Sequence, residues 1–427
     1  MQHRISGLLV LLIVTFAVPN PAEAAPEMVT VPAGVFIMGD GTSTCGINQR
    51  TVTLTRDFDI CRHEVTNQEF MEALQWAYNS GYVTASTATV WDNLDGSTLV
   101  LLQMNNDFCE IQFNGAGIFY LRQSPSTQAQ TAYPSGYNPA SHPALMVTWY
   151  GAARYCDWLS LQDGLTRAYD HNGNWACHGG DPYGAEGYRL PTDAEWEYAA
   201  QYDDERIYPW GNQAPTCSLA NSRNCVHWTA PAETYPGAPQ ALGLTEMAGN
   251  IFEWCNDWHV CELGTAPAID PAGPGSGTYR VIHGGCWDHS SSYMPNALRP
   301  TNQNPNTSSF LLGFRAARTY DTSHAENQIG TTPVGLLAGN APNPFVFSTS
   351  ISFRVPASVS GAPLELRIYN PAGRLVRTLI DSYKPEGSYC IAWNGADNSG
   401  VPVAPGVYFY RLQWNGRSET QRMILAR

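Results

Sequence analysis

The stretch Gly187–Gln201, with the sequence GYRLPTDAEWEYAAQ, constrains the fold of this chain more than any other segment. Thr192 and Glu195 have the Thr-x-x-Glu spacing of a capping box, in which both side chains accept backbone amide protons at the start of a helix. Pro191 disfavours helix before that point, and Trp196 begins an apolar side that a short helix can bury. The sequence therefore predicts a packed helix with a defined start.

Two other stretches predict helices, which makes three in all. Thr66 and Glu69 repeat the capping-box spacing, and the apolar residues that follow recur with a helical period. A further helix is expected from Trp149 to about Leu161, directly after a strand over His142–Thr148. The sixty residues that end near Asn138 are rich in Thr, Asn and Ser, and are interpreted as an irregular insertion with short strands.

Near the start of the folded part, apolar residues alternate with polar ones on both sides of Pro32-Ala33-Gly34. This pattern predicts a pair of strands joined by a tight turn. A second alternating segment follows from Thr51 to Ile60. These strands and the three helices indicate an α+β domain with little regular structure.

The first 24 residues have the features of a secretory signal peptide. Arg4 precedes an apolar run from Leu8 to Val18, and Ala22-Glu23-Ala24 gives a small-residue cleavage site. No later segment approaches about 20 uninterrupted apolar residues, so the mature chain is not expected to span a membrane. We expect a bacterial protein that is secreted or held at the cell surface.

Charge and cysteine content exclude some functions and suggest covalent cross-links. The 37 acidic and 23 basic residues give a net charge of −14, which disfavours nucleic acid as a partner. Eleven cysteines in an exported chain predict disulfides, and the odd number leaves at least one thiol without a partner in the chain. Short spacing suggests Cys217 with Cys225 and Cys255 with Cys261, although spacing alone cannot fix these pairs.

Eight sequence blocks occur in an order that resembles the formylglycine-generating enzyme family, also called sulfatase-modifying factors. The blocks are VPAGVFIMGD, EVTNQEF, HPALMVTWYGAARYCDWLS, GYRLPTDAEWEYAA, YPWGN, GLTEMAGNIFEWC, RVIHGGCW and GFRAAR. The resemblance covers about residues 27–320. It implies an α+β domain with C-type-lectin-like topology and little regular structure, which commonly holds calcium.

The remainder of the chain reads as a polar linker over 321–340 and an all-β segment over 341–427. Five alternating runs between Ser350 and Trp414, separated by turn sequences, predict a small Ig-like sandwich. The segment resembles the C-terminal domain shared by flagellar hook-capping proteins and type IX secretion sorting domains. The resemblance implies a sorting or attachment module that would interact with the secretion machinery.

Calcium is the predicted metal of the block GLTEMAGNIFEWC, because carboxylate and carbonyl oxygens could surround one hard cation there. The resemblance points to the same positions as ligands: Glu246, Gly249, Ile251 and Glu253. The alternative is that Glu253 pairs with an arginine. A second calcium site of the family would use Asn221 and the carbonyl of Ser222, although the loop after them supplies no carboxylate.

The resemblance implies oxidation of a cysteine in a client sulfatase to formylglycine, with O₂ and a copper(I) ion held by two cysteines. Those cysteines would fall within Trp287–Asn296, which contains none, so copper is not expected. Cys286, His289 and Met294 lie near the expected places and are soft enough to bind copper. Alternatively, Cys286 is a small buried residue or a disulfide partner, and His289 and Met294 line a groove.

Four arginines within the aromatic blocks are predicted to anchor buried carboxylates: Arg189, Arg280, Arg299 and Arg315. The sequence as a whole predicts an exported sulfatase-modifying-factor-like protein that lacks the copper-binding cysteine pair. Its main domain would be stabilised by calcium and would bind a peptide or another ligand, such as an exported client. The alternative is an O₂-dependent oxidoreductase of the formylglycine-generating type with altered metal ligands.

Overall fold

The fold is known from a computed structural model that describes residues 26–41, 48–202, 204–300, 303–319 and 337–426. The last range has gaps at 342, 344, 346–348, 356–362, 372, 385–386, 400 and 415–416. The predicted signal peptide, residues 1–24, and most of the predicted linker lie outside the described residues. The chain divides into two compact units, Met1–Asp321 and Thr322–Arg427.

Four α-helices occur among the described residues of the first unit: Asn67–Asn79 (α1), Thr127–Ala132 (α2), Trp149–Gln162 (α3) and Asp193–Gln201 (α4). Helices α1, α3 and α4 are the predicted ones, and both predicted capping boxes form, at Thr66 and at Thr192. Helix α2 is additional, because its six residues carry no apolar period and only a serine cap. Short 3₁₀ helices cover Leu94–Gly96, Pro139–Ser141, His171–Gly173, His178–Gly180, Pro182–Gly184 and Ser291–Tyr293.

The strands of the first unit are short and are distributed over several small sheets. They are Met28–Val31 (β1), Gly34–Met38 (β2), Arg50–Leu54 (β3), Phe58–Cys61 (β4), Val83–Ala85 (β5), Thr89–Asp92 (β6), Val100–Gln103 (β7), Ile111–Phe113 (β8), Phe119–Leu121 (β9), Phe252–Trp258 (β10), Ala268–Ile269 (β11), Arg280–His283 (β12), Leu312–Gly313 (β13) and Ala317–Thr319 (β14). The strand orders are β1-β4-β14, β12-β10-β13, β11-β3-β2, β5-β6-β7 and β8-β9. Such short elements in many sheets fit the α+β class with little regular structure.

The predicted hairpin around Pro32-Ala33-Gly34 is wrong in its pairing, although both strands exist. Strand β1 pairs with β4, and β2 pairs with β3, so the turn carries the chain from one sheet into another. The amide of Ala33 donates to Asp57 Oδ1 at 2.8 Å, which holds this crossing in place. Val31 of β1 and Phe36 and Met38 of β2 still enter one core, whereas Val35 is 62% exposed.

The predicted strand over His142–Thr148 is also wrong. Only isolated bridges form there, from Pro143 to Thr66 and from Val147 to Leu102. Between them Met146 has a φ of +64°, a left-handed conformation that breaks an extended strand. The apolar run is buried because it crosses the core, where it forms isolated bridges in place of a continuous strand.

Buried arginines join the elements of the first unit. Arg189 makes two bonds of 2.6 and 2.7 Å to the carboxylate of Glu195, which also accepts the Thr192 amide at 2.9 Å. One carboxylate therefore completes the capping box and neutralises an arginine. Arg299 bonds Asp193 at 2.9 Å, as predicted. Arg280 instead lies between two indole rings, with its guanidinium carbon 3.6 Å from the centroids of both Trp149 and Trp258.

One of the two predicted disulfides is confirmed and the other is wrong. Cys217 and Cys225 are bonded, whereas the pairing of Cys255 with Cys261 is wrong. Cys255 is a free, fully buried thiol within β10, and Cys261 is disulfide-bonded. Cys286 is also a free buried thiol, so it is not a disulfide partner.

The second unit is all-β in its described residues. Its strands are Leu337–Ala341 (β15), Thr349–Val355 (β16), Pro363–Tyr369 (β17), Leu375–Tyr383 (β18), Gly387–Trp393 (β19), Gly406–Trp414 (β20) and Arg417–Leu425 (β21). They form sheets of order β15-β16-β19 and β18-β17-β20-β21, which share one apolar core. The predicted Ig-like sandwich is confirmed. Among the helices that the structure describes in the whole chain, none combines the length and apolarity required to cross a bilayer.

Candidate functional site

The loop that follows β12 lies against the segment that leads into β10. The amide of Gly249 donates to Gly284 O at 2.7 Å, and the amide of Trp287 donates to Asn250 O at 2.8 Å. Gly285 has a φ of +81°, and a Cβ there would lie 3.0 Å from Tyr293 O, so the loop closes tightly on a glycine. The predicted calcium block and the segment where the family resemblance would place the copper-binding cysteines are therefore neighbours.

Asn250 is the central residue of this contact and is fully buried. Its Oδ1 accepts the amide of Ala230 at 2.7 Å and Asn221 Nδ2 at 3.2 Å. Its Nδ2 donates to Glu64 Oε2 at 2.6 Å, and its amide donates to Asn221 O at 2.9 Å. One amide side chain thus connects three distant parts of the chain. The carbonyl of Ser222, the other proposed ligand of the second calcium site, accepts the amide of Cys225.

Glu253 faces Arg315 and Trp196 in the interior. Arg315 Nη2 and Nε lie 2.6 and 2.7 Å from Glu253 Oε1 and Oε2, and Trp196 Nε1 donates to Oε2 at 2.7 Å. All three side chains are fully buried. The arrangement is the arginine pairing that was the alternative to a calcium ligand for Glu253. Trp196 belongs to α4, so the stretch that fixes the fold also helps to hold this carboxylate.

Two more glutamates lie close to the Glu253 pair. Glu246 accepts the amides of Glu233 and Tyr235, both at 3.0 Å, and burial raises the pKa of its carboxyl. Burial raises the pKa of Glu64 well above its usual range, and the neighbouring charges of Glu253 and Glu246 raise it further. Three buried carboxyl groups therefore interact electrostatically with the guanidinium of Arg315, which forms its ion pair with Glu253. Glu64 was not predicted as a site residue, although it is the first residue of the block EVTNQEF, which contains the capping box of Thr66 and Glu69.

The copper candidates are only partly brought together. Cys286 Sγ lies 3.0 Å from His289 Nδ1, and burial raises the pKa of this thiol to about 12. Burial also lowers the pKa of His289. Met294 is buried in a small cluster with Ala220 and Ala248. The thiol keeps its proton at neutral pH, and the segment offers no second cysteine, so these residues do not fit a two-thiolate copper site.

A cavity of about 190 Å³ opens beside His289 at one end of the β12-β10-β13 sheet. Each of the three strands contributes one residue to the wall: Phe252 from β10, Ile282 from β12 and Leu312 from β13. Phe252 and Leu312 lie opposite each other in the parallel pair. The lining residues are Phe252, Ile282, His289, Tyr293, Pro300, Gln303, Ser309, Leu311 and Leu312. His289 lines this cavity, as the sequence predicted, whereas Met294 is buried and is not one of its described lining residues.

The family of this chain follows from its sequence over most of this unit. Residues 15–320 match the model of the sulfatase-modifying factor enzyme 1-like domain, and residues 344–417 match that of the FlgD Ig-like domain. The chain belongs to the sulfatase-modifying factor family and carries a FlgD-type Ig-like domain C-terminal to the family domain in the sequence.

The relatives that are similar to this chain include proteins named as kinases and proteins named as formylglycine-generating enzymes. The serine/threonine-protein kinase Pkn1 of Chlamydia trachomatis is 35% identical over 305 residues, which are 70% of this chain and 39% of the relative. The chain thus spans less than half the length of the kinase-named relatives that it matches. The formylglycine-generating enzyme of Thermomonospora curvata is 29% identical over 349 residues, 70% of this chain and 95% of the relative. Among solved structures, Treponema denticola variable protein 1 has a TM-score of 0.49 and 24% identity, over 69% of this chain and 95% of its own.

Proposed function

We propose that the family domain binds a peptide or a small ligand in the cavity beside His289 and does not oxidise a cysteine. The observation that supports this most directly is the pair formed by Cys286 and His289 at 3.0 Å. A protonated thiol bonded to an imidazole occupies the region where the family resemblance places two copper-binding cysteines. A cavity remains open beside this pair.

The test is an assay for turnover. The full chain is incubated with a Cys-x-Pro-x-Arg peptide, O₂ and copper, and the peptide is examined for the mass loss of the aldehyde product. We expect no product from the natural chain. A variant with two thiols restored, His289→Cys with Met294→Cys, is the matched comparison. Turnover by the natural chain would refute the binding proposal.

The alternative is an O₂-dependent oxidoreductase with altered metal ligands. The soft donors Cys286 and His289 favour it, because they are close enough for one ion to replace the proton between them. A copper titration of the secreted protein distinguishes the two functions. Binding no tighter than that of a Cys286→Ser variant removes this alternative.

We also propose that calcium stabilises the family domain at Glu246, Gly249, Ile251 and Glu253. The support is the excess of buried acid, since Arg315 supplies one positive charge against three carboxyl groups. The competing fact is that Arg315 already holds Glu253. Calcium at 100 times its dissociation constant should stabilise the fold by about 2.7 kcal/mol. A melting temperature that does not change with calcium, or that changes equally with magnesium, would eliminate the site.

The chain is proposed to be exported through its first 24 residues and to be sorted or attached through the Ig-like unit. The match of residues 344–417 to the FlgD Ig-like domain is compatible with an attachment role. Removal of Ala341–Arg427 should leave the family domain folded but should prevent it from reaching its normal location. If the truncated protein reached the same destination, the second unit would be a spacer.

A further inference from the structure

The cavity beside His289 has an uncharged lining among the described residues. None of its nine described lining residues is Asp, Glu, Lys or Arg. A charged group that entered would therefore lose its water without gaining an ion partner, which is costly. The volume of about 190 Å³ is below the usual range for drug-sized ligands but is ample for one aromatic ring.

Three rings form one side of the cavity and meet edge to face. The centroid of His289 lies 5.0 Å from that of Tyr293 and 5.4 Å from that of Phe252, with interplanar angles of 81° and 73°. The Phe252 and Tyr293 rings lie 6.1 Å apart at 84°. This packing fixes the imidazole plane, so the ring presents a constant edge to any occupant.

The bond to Cys286 determines which nitrogen of His289 carries the proton. The amide of His289 donates to the Cys286 carbonyl oxygen at 3.1 Å, and the Cys286 S–H group can donate to the His289 ring. Imidazole nitrogen is a better acceptor than sulfur, and Nδ1 at 3.0 Å takes that proton. The ring proton of neutral His289 is then on Nε2. No described residue has a hydrogen bond to Nε2, so this N–H is available to a ligand.

We propose that the cavity binds an uncharged aromatic group that carries a hydrogen-bond acceptor, such as a carbonyl oxygen, and that Cys286 imposes this preference by holding His289 in its Nε2–H form. This inference rests on the proposed binding function of the same cavity. His289 is the contacting residue, and Cys286 is a positioning residue that acts through it.

The probes are acetophenone and isopropylbenzene, which have the same shape and differ in the carbonyl acceptor. Both are titrated into the full chain, and dissociation constants are taken from NMR shifts of the Tyr293 ring, which lines the same cavity and is present in every variant. The ratio of the two constants is compared between variants, because this comparison cancels the different tendencies of the probes to leave water. Relative to the natural chain, His289→Phe should reduce the preference for acetophenone about five-fold, as expected for one lost hydrogen bond.

Cys286→Ser and Cys286→Ala form the matched pair. Serine keeps a donor for Nδ1 and should keep the preference, whereas alanine should lose most of it while isopropylbenzene still binds. Nitrogen shifts of His289 should show the proton on Nε2 in the natural chain and in the serine variant. A proton on Nδ1, or an equal ratio in all four proteins, overturns the inference alone. If neither probe binds the natural chain at any accessible concentration, the proposed binding function fails as well.

Discussion

Replacement of Arg315 by methionine tests whether the buried ion pair with Glu253 holds the family domain together. Both partners are fully buried, and the arginine also donates to the carbonyls of Cys61 and Thr245. Removal of one member of a buried pair typically costs about 3–5 kcal/mol, because the remaining charge has lost its water and its partner. With about 2–4 °C lost per kcal/mol, Arg315→Met should lower the melting temperature by about 6–20 °C.

The assay is thermal and urea unfolding of the full chain, with Arg62→Met as the matched control. Arg62 is 36% exposed and pairs with Glu27 at 2.9 Å, so its loss should cost about 0–1 kcal/mol. The double variant with Glu253→Gln keeps an acceptor for Trp196, and it should be less destabilised than the sum of the single changes by about 2 kcal/mol. If Arg315→Met is no more destabilising than Arg62→Met, the reasoning from burial is wrong.

Three further predictions concern other parts of the first unit. Thr192→Ala removes the hydroxyl that accepts the Glu195 amide and should cost about 1 kcal/mol in urea unfolding; an unchanged midpoint would mean that the capping box contributes nothing. Replacement of Cys217 and Cys225 together by serine opens a loop with a sequence separation of 8 and should cost about 2.5 kcal/mol, whereas an equal stability of the reduced and oxidised natural chain would contradict this expectation. Burial raises the pKa of Glu197 to about 8, from an unfolded value of about 4.3. The folded state therefore holds one more proton than the unfolded state between these two values, and stability falls as the pH rises from about 4.3 to about 8. Glu197→Gln should remove that part of the decline, on the order of 1 kcal/mol per pH unit, and parallel stability curves for the two proteins would exclude Glu197 as its source.

The elements that sequence alone predicts are those with local signals. The capping boxes at Thr66 and Thr192 fix their helices because all partners lie within one turn. The Ig-like strands follow from alternation between clear turns. Helix α2 and the left-handed Met146 have no such signal, and the destinations of β1 and β2 depend on strands that come later in the chain.

The site was predictable as a set of residues but not as an arrangement. The sequence named Glu253 and Arg315 separately, and 62 positions separate them, so only the fold shows that they pair. Cys286 and His289 stand three positions apart and were named together, yet their hydrogen bond depends on a loop closed at Gly285. The sequence predicted a groove at His289 but not its wall, which combines residues from three strands whose order is non-sequential.

The sheet β1-β4-β14 has a consequence for how the family domain can be rearranged. The first and last strands of the domain both flank β4, with Val31 and Thr319 opposite the same residue, Phe58. Strands β1 and β14 run parallel, so the start of β1 at Met28, opposite Cys61, and the end of β14 at Thr319 lie at opposite ends of β4. Two strand spacings of about 4.8 Å and three residues of about 3.3 Å each separate these ends by roughly 14 Å. A short peptide could join them, and new termini could be opened in an exposed loop. The domain is therefore suited to circular permutation and to insertion as a module within another protein.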